Sequence, residues 1–162
     1  MNLQEKTTLH EQLIALVEAE LSTATAAQKA TQEGAVHEES RSENDKDTRG
    51  LESTYLARGQ AERVVELRTD LARLKQIHPK EFNEEEPISL GALIRLTNED
   101  EEAEEVYLSP VGPGLKLGAA GAIKVVTSSS PLGRALLGRF CGDDFELQTP
   151  GGKREYSVTA IR

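Results

Sequence analysis

His78-Pro79-Lys80-Glu81-Phe82-Asn83-Glu84-Glu85-Glu86-Pro87 divides the chain into two stretches with different local chemistry. Each proline lacks a backbone donor and pushes the residue before it out of the helical region, so a helix arriving here must stop. On the amino side, residues 1–78 hold no proline, and glycine occurs only at Gly34, Gly50 and Gly59; all six prolines and the other ten glycines lie beyond. The organisation expected from this shift is α+β. An antiparallel coiled-coil hairpin occupies 1–78, a linker 79–87 and a small β domain 88–162.

The amino-terminal spacing is helical. Leu9, Leu13, Leu16 and Val17 mark one face, and Leu56, Val64, Leu67, Leu71 and Leu74 another. Each stripe is too narrow for a charged helix to stand alone in water, so the two should pack on each other. The turn falls within Gln32 to Asn44, with Gly34 as a helix stop and Ser42, three residues before Asp45, as the opening of the second helix. Helices of about 28 to 34 residues would make a rod of roughly 40 to 50 Å.

Beyond Pro87, strands are expected at Ile88 to Leu96, Val106 to Ser109, Ile123 to Thr127, Phe145 to Gln148 and Tyr156 to Ile161, where β-branched and aromatic residues gather between turn residues. Asn98 to Glu102 and Pro150 to Lys153 read as hairpin turns. One short helix interrupts them. Ser130 can cap it, Pro131 suits its first position and Gly138 can end it.

With 37% apolar residues, 4% aromatic and a formal net charge of −9, the chain is poorly suited to a thick single core or a nonspecific grip on nucleic acid. A basic partner or another protein fits better. Cys141 is the only cysteine, which excludes an internal disulfide and suits a reducing cytoplasm. The first twenty residues lack the apolar run of a signal peptide or membrane span, and a cytoplasmic location is expected. No phosphate-binding glycine loop, nucleophile elbow or zinc cluster is present.

Acidic residues concentrate at the expected apex: Glu38, Glu39, Glu43, Asp45 and Asp47, with Ser40 and Asn44 among them. A helical backbone would place Glu39 and Glu43, four apart, on one face, where two carboxylates can share a magnesium ion whose other ligands come from a second macromolecule. The plainer alternative is a charge-rich run that solvates a helix–helix turn, partly neutralised by Arg41, Lys46 and Arg49. For Ser130 to Gly138 the alternatives are a capping turn inside the small domain and a partner-docking edge.

Ser129 to Gly138 (SSPLGRALLG) and the closing run ELQTPGGKREYSVTAI resemble the motifs of the Gre transcript-cleavage factors, along with the order of elements over nearly the whole chain. That resemblance implies an FKBP-like curved antiparallel sheet with one short helix, docked at the rim of the RNA polymerase secondary channel, and a coiled coil reaching the active centre. Ser130, Pro131 and Leu132 are then docking candidates. It also implies that acidic tip residues, Glu43 with Glu39, help hold a Mg²⁺ ion shared with the polymerase, the factor having no cofactor of its own and touching RNA and DNA only through the enzyme. Cleaving members carry a tip G-D-x-x-E-N. Here Glu43-Asn44 matches its end, while Ser40 stands at the Asp position and Glu39 at the Gly. A hydroxyl does not replace a carboxylate's charge, so cleavage would need Glu39 or Glu38 in that role. A non-cleaving secondary-channel regulator is the second expectation. A third, from another class, is a peptidyl-prolyl isomerase, for which residues 81–162 offer only Phe82, Tyr107, Phe140, Phe145 and Tyr156 as aromatic lining.

Overall fold

The computed structural model describes residues 2–39, 48–83 and 85–162, with side chains described outside 35–50. Helix α1 spans Leu3–Glu39 and α2 spans Thr48–Lys75. A reciprocal cap opens α1. Asn2 Oδ1 accepts from the Glu5 amide at 2.9 Å, and Glu5 Oε2 accepts from the Asn2 amide at 2.9 Å, satisfying two donors that a helix start otherwise leaves free. Gly34 does not stop the helix, contrary to expectation. It lies inside α1 at an exposed position with open space around it, so its flexibility weakens the helix locally without ending it. Residues 40–47, on which the later part of the expected turn and Ser42 fall, lie outside the described residues.

Two compact units result, one of Met1–Ile14 with Arg73–Arg162 and the other of Ala15–Ala72. In the second unit α1 and α2 share a seam. Val17, Val64 and Leu67 are buried and Leu21 and Leu71 half-buried, with spacings that alternate between three and four. Glu20 accepts a hydrogen bond from Arg63 across the pair. Leu16 and Leu56, expected on the stripes, are exposed. Each sits one residue from the position that faces inward, Val17 and Ala57, and one residue is a rotation of about 100°.

The first unit is built on one six-stranded sheet in the order β3-β4-β2-β1-β6-β5. The strands are β1 (Leu93–Asn98), β2 (Ala103–Ser109), β3 (Lys116–Leu117), β4 (Ile123–Thr127), β5 (Asp144–Thr149) and β6 (Gly152–Ile161), with helix α3 at Pro131–Leu136 between β4 and β5. The sheet is mixed rather than wholly antiparallel: β2 and β4 run parallel, Tyr107 level with Val125. The cause is the segment 110–122, long enough to carry the chain back before it re-enters the sheet, and holding β3 and a 3-10 turn at Ala119–Gly121. Neither had a sequence signal. The first expected strand begins later than anticipated, because Ile88 bonds to the end of the α3 loop instead, its amide donating to the Arg139 carbonyl at 2.8 Å and its carbonyl accepting from the Gly138 amide at 2.9 Å.

Alternation along the strands feeds two faces. Ile94, Leu96, Val106, Leu108, Val126 and Val158 meet Leu136 of α3. Tyr107, fully buried, points the other way and meets the start of α1, where its hydroxyl lies 2.9 Å from His10 Nδ1. Leu13 and Leu9 close over the backbone at Gly112 and Gly118. The first apolar stripe of α1 therefore covers the sheet as well as its partner helix.

Lys6 fastens the same joint. Only 2% exposed, it donates to the carbonyls of Lys80 at 2.7 Å and Arg162 at 2.6 Å, and its ammonium sits 4.3 Å from the Phe82 ring centre. Burial, with Lys80 nearby, lowers its pKa to about 8. Burial likewise lowers the pKa of His10, whose Nε2 finds no hydrogen-bond partner among the described residues.

Candidate functional site

A groove of 820 Å³ runs along the α3 side of the sheet. Its rim starts with Ser130, which caps α3: Ser130 Oγ accepts from the Gly133 amide at 3.1 Å and donates to the Thr127 carbonyl at 2.8 Å. Pro131 follows as the first helical residue, where its missing donor costs nothing. Gly133 is compulsory here for space, since a Cβ would fall 2.0 Å from the Thr127 oxygen. Arg134 ties the cap from outside by donating to the Ser129 carbonyl at 2.5 Å. The Ser-Pro-Leu-Gly-Arg run is thus a rigid corner held against the end of β4.

Ser130, Pro131 and Leu132, the three expected docking residues, all line this groove. Sequence reasoning did not find its opposite wall, formed by Lys124 on β4 and by Leu147, Arg154 and Tyr156 on the β5–β6 hairpin. Arg154 and Tyr156 lie inside the closing ELQTPGGKREYSVTAI run, which carries a signal in sequence; Lys124 carries none. Tyr156 stacks on Phe145 with ring centres 5.6 Å apart, which fixes its place in the wall. The charges are mixed. Glu102 and Glu104 join Lys124 and Arg154 around the opening, so neither sign dominates. Among the described residues, neither histidine nor cysteine lines the groove. Tyr156 is the one aromatic residue in the lining, a poor match to the aromatic pocket that prolyl isomerisation requires.

The second expected site is placed only in part. Glu38 and Glu39 belong to the last turn of α1, and their side chains lie outside the description. Ser40, Glu43, Asn44, Asp45 and Asp47 lie outside the described residues altogether. Among the described residues, no group of three or more His, Cys, Asp or Glu could hold a metal ion, and no helix is long and apolar enough to cross a membrane.

Residues 83–162 match the family model for the carboxy-terminal domain of the GreA/GreB transcription elongation factors. The chain is 37% identical over 100 residues to transcription elongation factor GreA of Paracoccus denitrificans, covering 62% of this chain and 60% of that protein. It is 35% identical over 100 residues to GreA of Cereibacter sphaeroides, covering 62% of each. The chain therefore spans about 60% of the length of these curated relatives. Among solved structures, GreA factor homolog 1 of Thermus thermophilus is 26% identical, with 94% of each chain covered and a TM-score of 0.39.

Proposed function

We propose, from the match of residues 83–162 to the carboxy-terminal domain model of the GreA/GreB transcription elongation factors, that this chain is an accessory factor of RNA polymerase in the cytoplasm, docked by its β domain at the secondary channel. The observation that carries this is the groove: three residues of the family-like Ser-Pro-Leu-Gly-Arg corner line it, and Gly133 and the Ser130 cap hold that corner rigid. A fixed, mixed-charge concave surface without catalytic groups suits recognition of a protein edge.

In this proposal the acidic residues between the helices act on the polymerase active centre. Glu43, with Glu39 or Glu38 in the role that Ser40 cannot fill, would lend carboxylate ligands to the enzyme's Mg²⁺, which activates the water that shortens backtracked RNA. The factor is not the enzyme. Its contribution is charge placed where the metal needs it, and the hydrolysis belongs to the polymerase.

Two measurements test this. Purified core polymerase should retain the chain in a pull-down, and failure to bind removes the proposal. Backtracked complexes should then release shortened RNA faster with the wild type than with Glu43→Ala. Equal stimulation by both proteins refutes the metal role of Glu43, and binding without any stimulation means a regulator that does not promote cleavage.

A further inference from the structure

The seam between α1 and α2 changes composition along its length. As far as Leu21 on α1 and back to Val64 on α2, beside the Glu20–Arg63 pair, the inward positions are Val17, Leu21, Val64, Leu67 and Leu71; beyond them they are Ala24, Gln28 and Thr31 from α1 with Gln60, Ala57 and Ser53 from α2, half-buried in mostly exposed runs. Leucine and valine give way to small and polar residues at the same heptad places. Gln60 Oε1 is buried and finds no hydrogen-bond partner among the described residues. The large apolar side chains of this stretch of α2 face solvent instead: Leu51 is 61% exposed and Tyr55 67%. Gly59 lies in the same stretch with open space around it, adding the entropic cost of a helical glycine.

We infer that the hairpin carries a built-in stability gradient, in which residues 24–31 and 53–60 separate as a local unit while the stretch around Val17, Val64 and Leu67 stays closed. The reasoning is physical. An isolated helix of this length is marginal in water, so it persists by burying an apolar face, and Ala, Gln, Thr and Ser bury little. An unpaired amide oxygen in the seam further favours the open state, where water satisfies it. Polar seam residues also fix register, which explains how a weak interface remains specific when closed. The opening depends only on this seam and does not rest on the proposed polymerase role.

Native-state hydrogen exchange on the full chain, read by peptide mass spectrometry across a series of low urea concentrations, tests the gradient. Backbone amides in 24–31 and 53–60 should show protection lower by about ten-fold or more than those in 13–17 and 64–71, and with little urea dependence, as for a sub-global opening. The double variant Gln28→Leu, Gln60→Leu should raise protection of 24–31 and 53–60 several-fold and leave 64–71 unchanged; Gly59→Ala should raise it to a smaller extent. Equal protection along the helices, exchange of both stretches only through global unfolding, or Leu variants with the wild-type pattern would each overturn the inference.

Discussion

Replacing Gly133 by Ala should be the most damaging single methyl group in the β domain. The glycine has ordinary helical geometry, so the objection is purely one of space: the new Cβ would lie 2.0 Å from the Thr127 oxygen and 2.7 Å from its carbon. Contacts of this kind essentially never fall below 3.0 Å, so α3 and β4 must part by roughly 1 Å. That carbonyl cannot move freely, since it accepts from the Ser130 amide at 3.0 Å and the Ser130 hydroxyl at 2.8 Å. Overpacking of about 1–3 kcal/mol combines with loss of a cap worth about 1 kcal/mol, giving roughly 2–4 kcal/mol. In a chain of this size that corresponds to a Tm lower by about 5–15 °C. The same substitution at Gly34 and Gly59, where nothing lies within 4 Å, should instead stabilise by about 0.5–1 kcal/mol. Urea unfolding followed by far-ultraviolet circular dichroism measures all three. A Gly133→Ala protein within about 0.5 kcal/mol of wild type would refute the steric argument.

Because burial holds the His10 pKa below 6.5, the unfolded chain binds a proton that the folded one resists, and stability should fall as pH drops from about 6.5 downward. Urea midpoints at pH 7.5 and 5.5 check this, and a difference unchanged by His10→Gln would assign the effect elsewhere. Tyr107→Phe removes the partner of His10 Nδ1 and should cost about 1–3 kcal/mol at neutral pH, seen as a lower midpoint with unchanged m-value. Lys6→Met keeps much of the side-chain volume but strips the donors from the Lys80 and Arg162 carbonyls; a loss of about 1–3 kcal/mol is expected by the same measurement.

Much of this architecture was legible where local chemistry decides it. The Ser130-Pro131 start of α3 was readable because cap, proline and terminating glycine act within one turn, and Gly138 does adopt φ +79°. Strand β4 was found with its bounds because Ile123-Lys124-Val125-Val126-Thr127 is β-branched at four of five places. Features set by distant residues were not legible. The parallel pairing of β2 with β4 depends on the path of 110–122, and the two-residue β3 is too short for any pattern to register. Apolar spacing cannot tell which of two adjacent residues faces inward, and so Leu16 and Leu56 fit the stripes in sequence yet are exposed in the fold. Lys6 and His10 carried no signal, since their roles depend on Arg162 and Tyr107 far along the chain. At the candidate site the docking corner was visible as a motif, whereas the wall with Lys124 comes from the sheet order.

The hydrogen bond from Lys6 to the Arg162 carbonyl joins positions 156 apart, and β6 is an interior strand clasped between β1 and β5. That arrangement leads us to expect an order in one step of folding. The hairpins β1–β2 and β5–β6 can each zip locally, yet they join each other through the β1–β6 register, a slow non-local closure. Until it completes, the ammonium of Lys6 has no acceptor at Arg162, although Leu9, His10 and Leu13 already have Tyr107, Gly112 and Gly118 to settle on. The bond from Lys6 to Arg162 is therefore expected to form only with the completed sheet, and it reports on that closure.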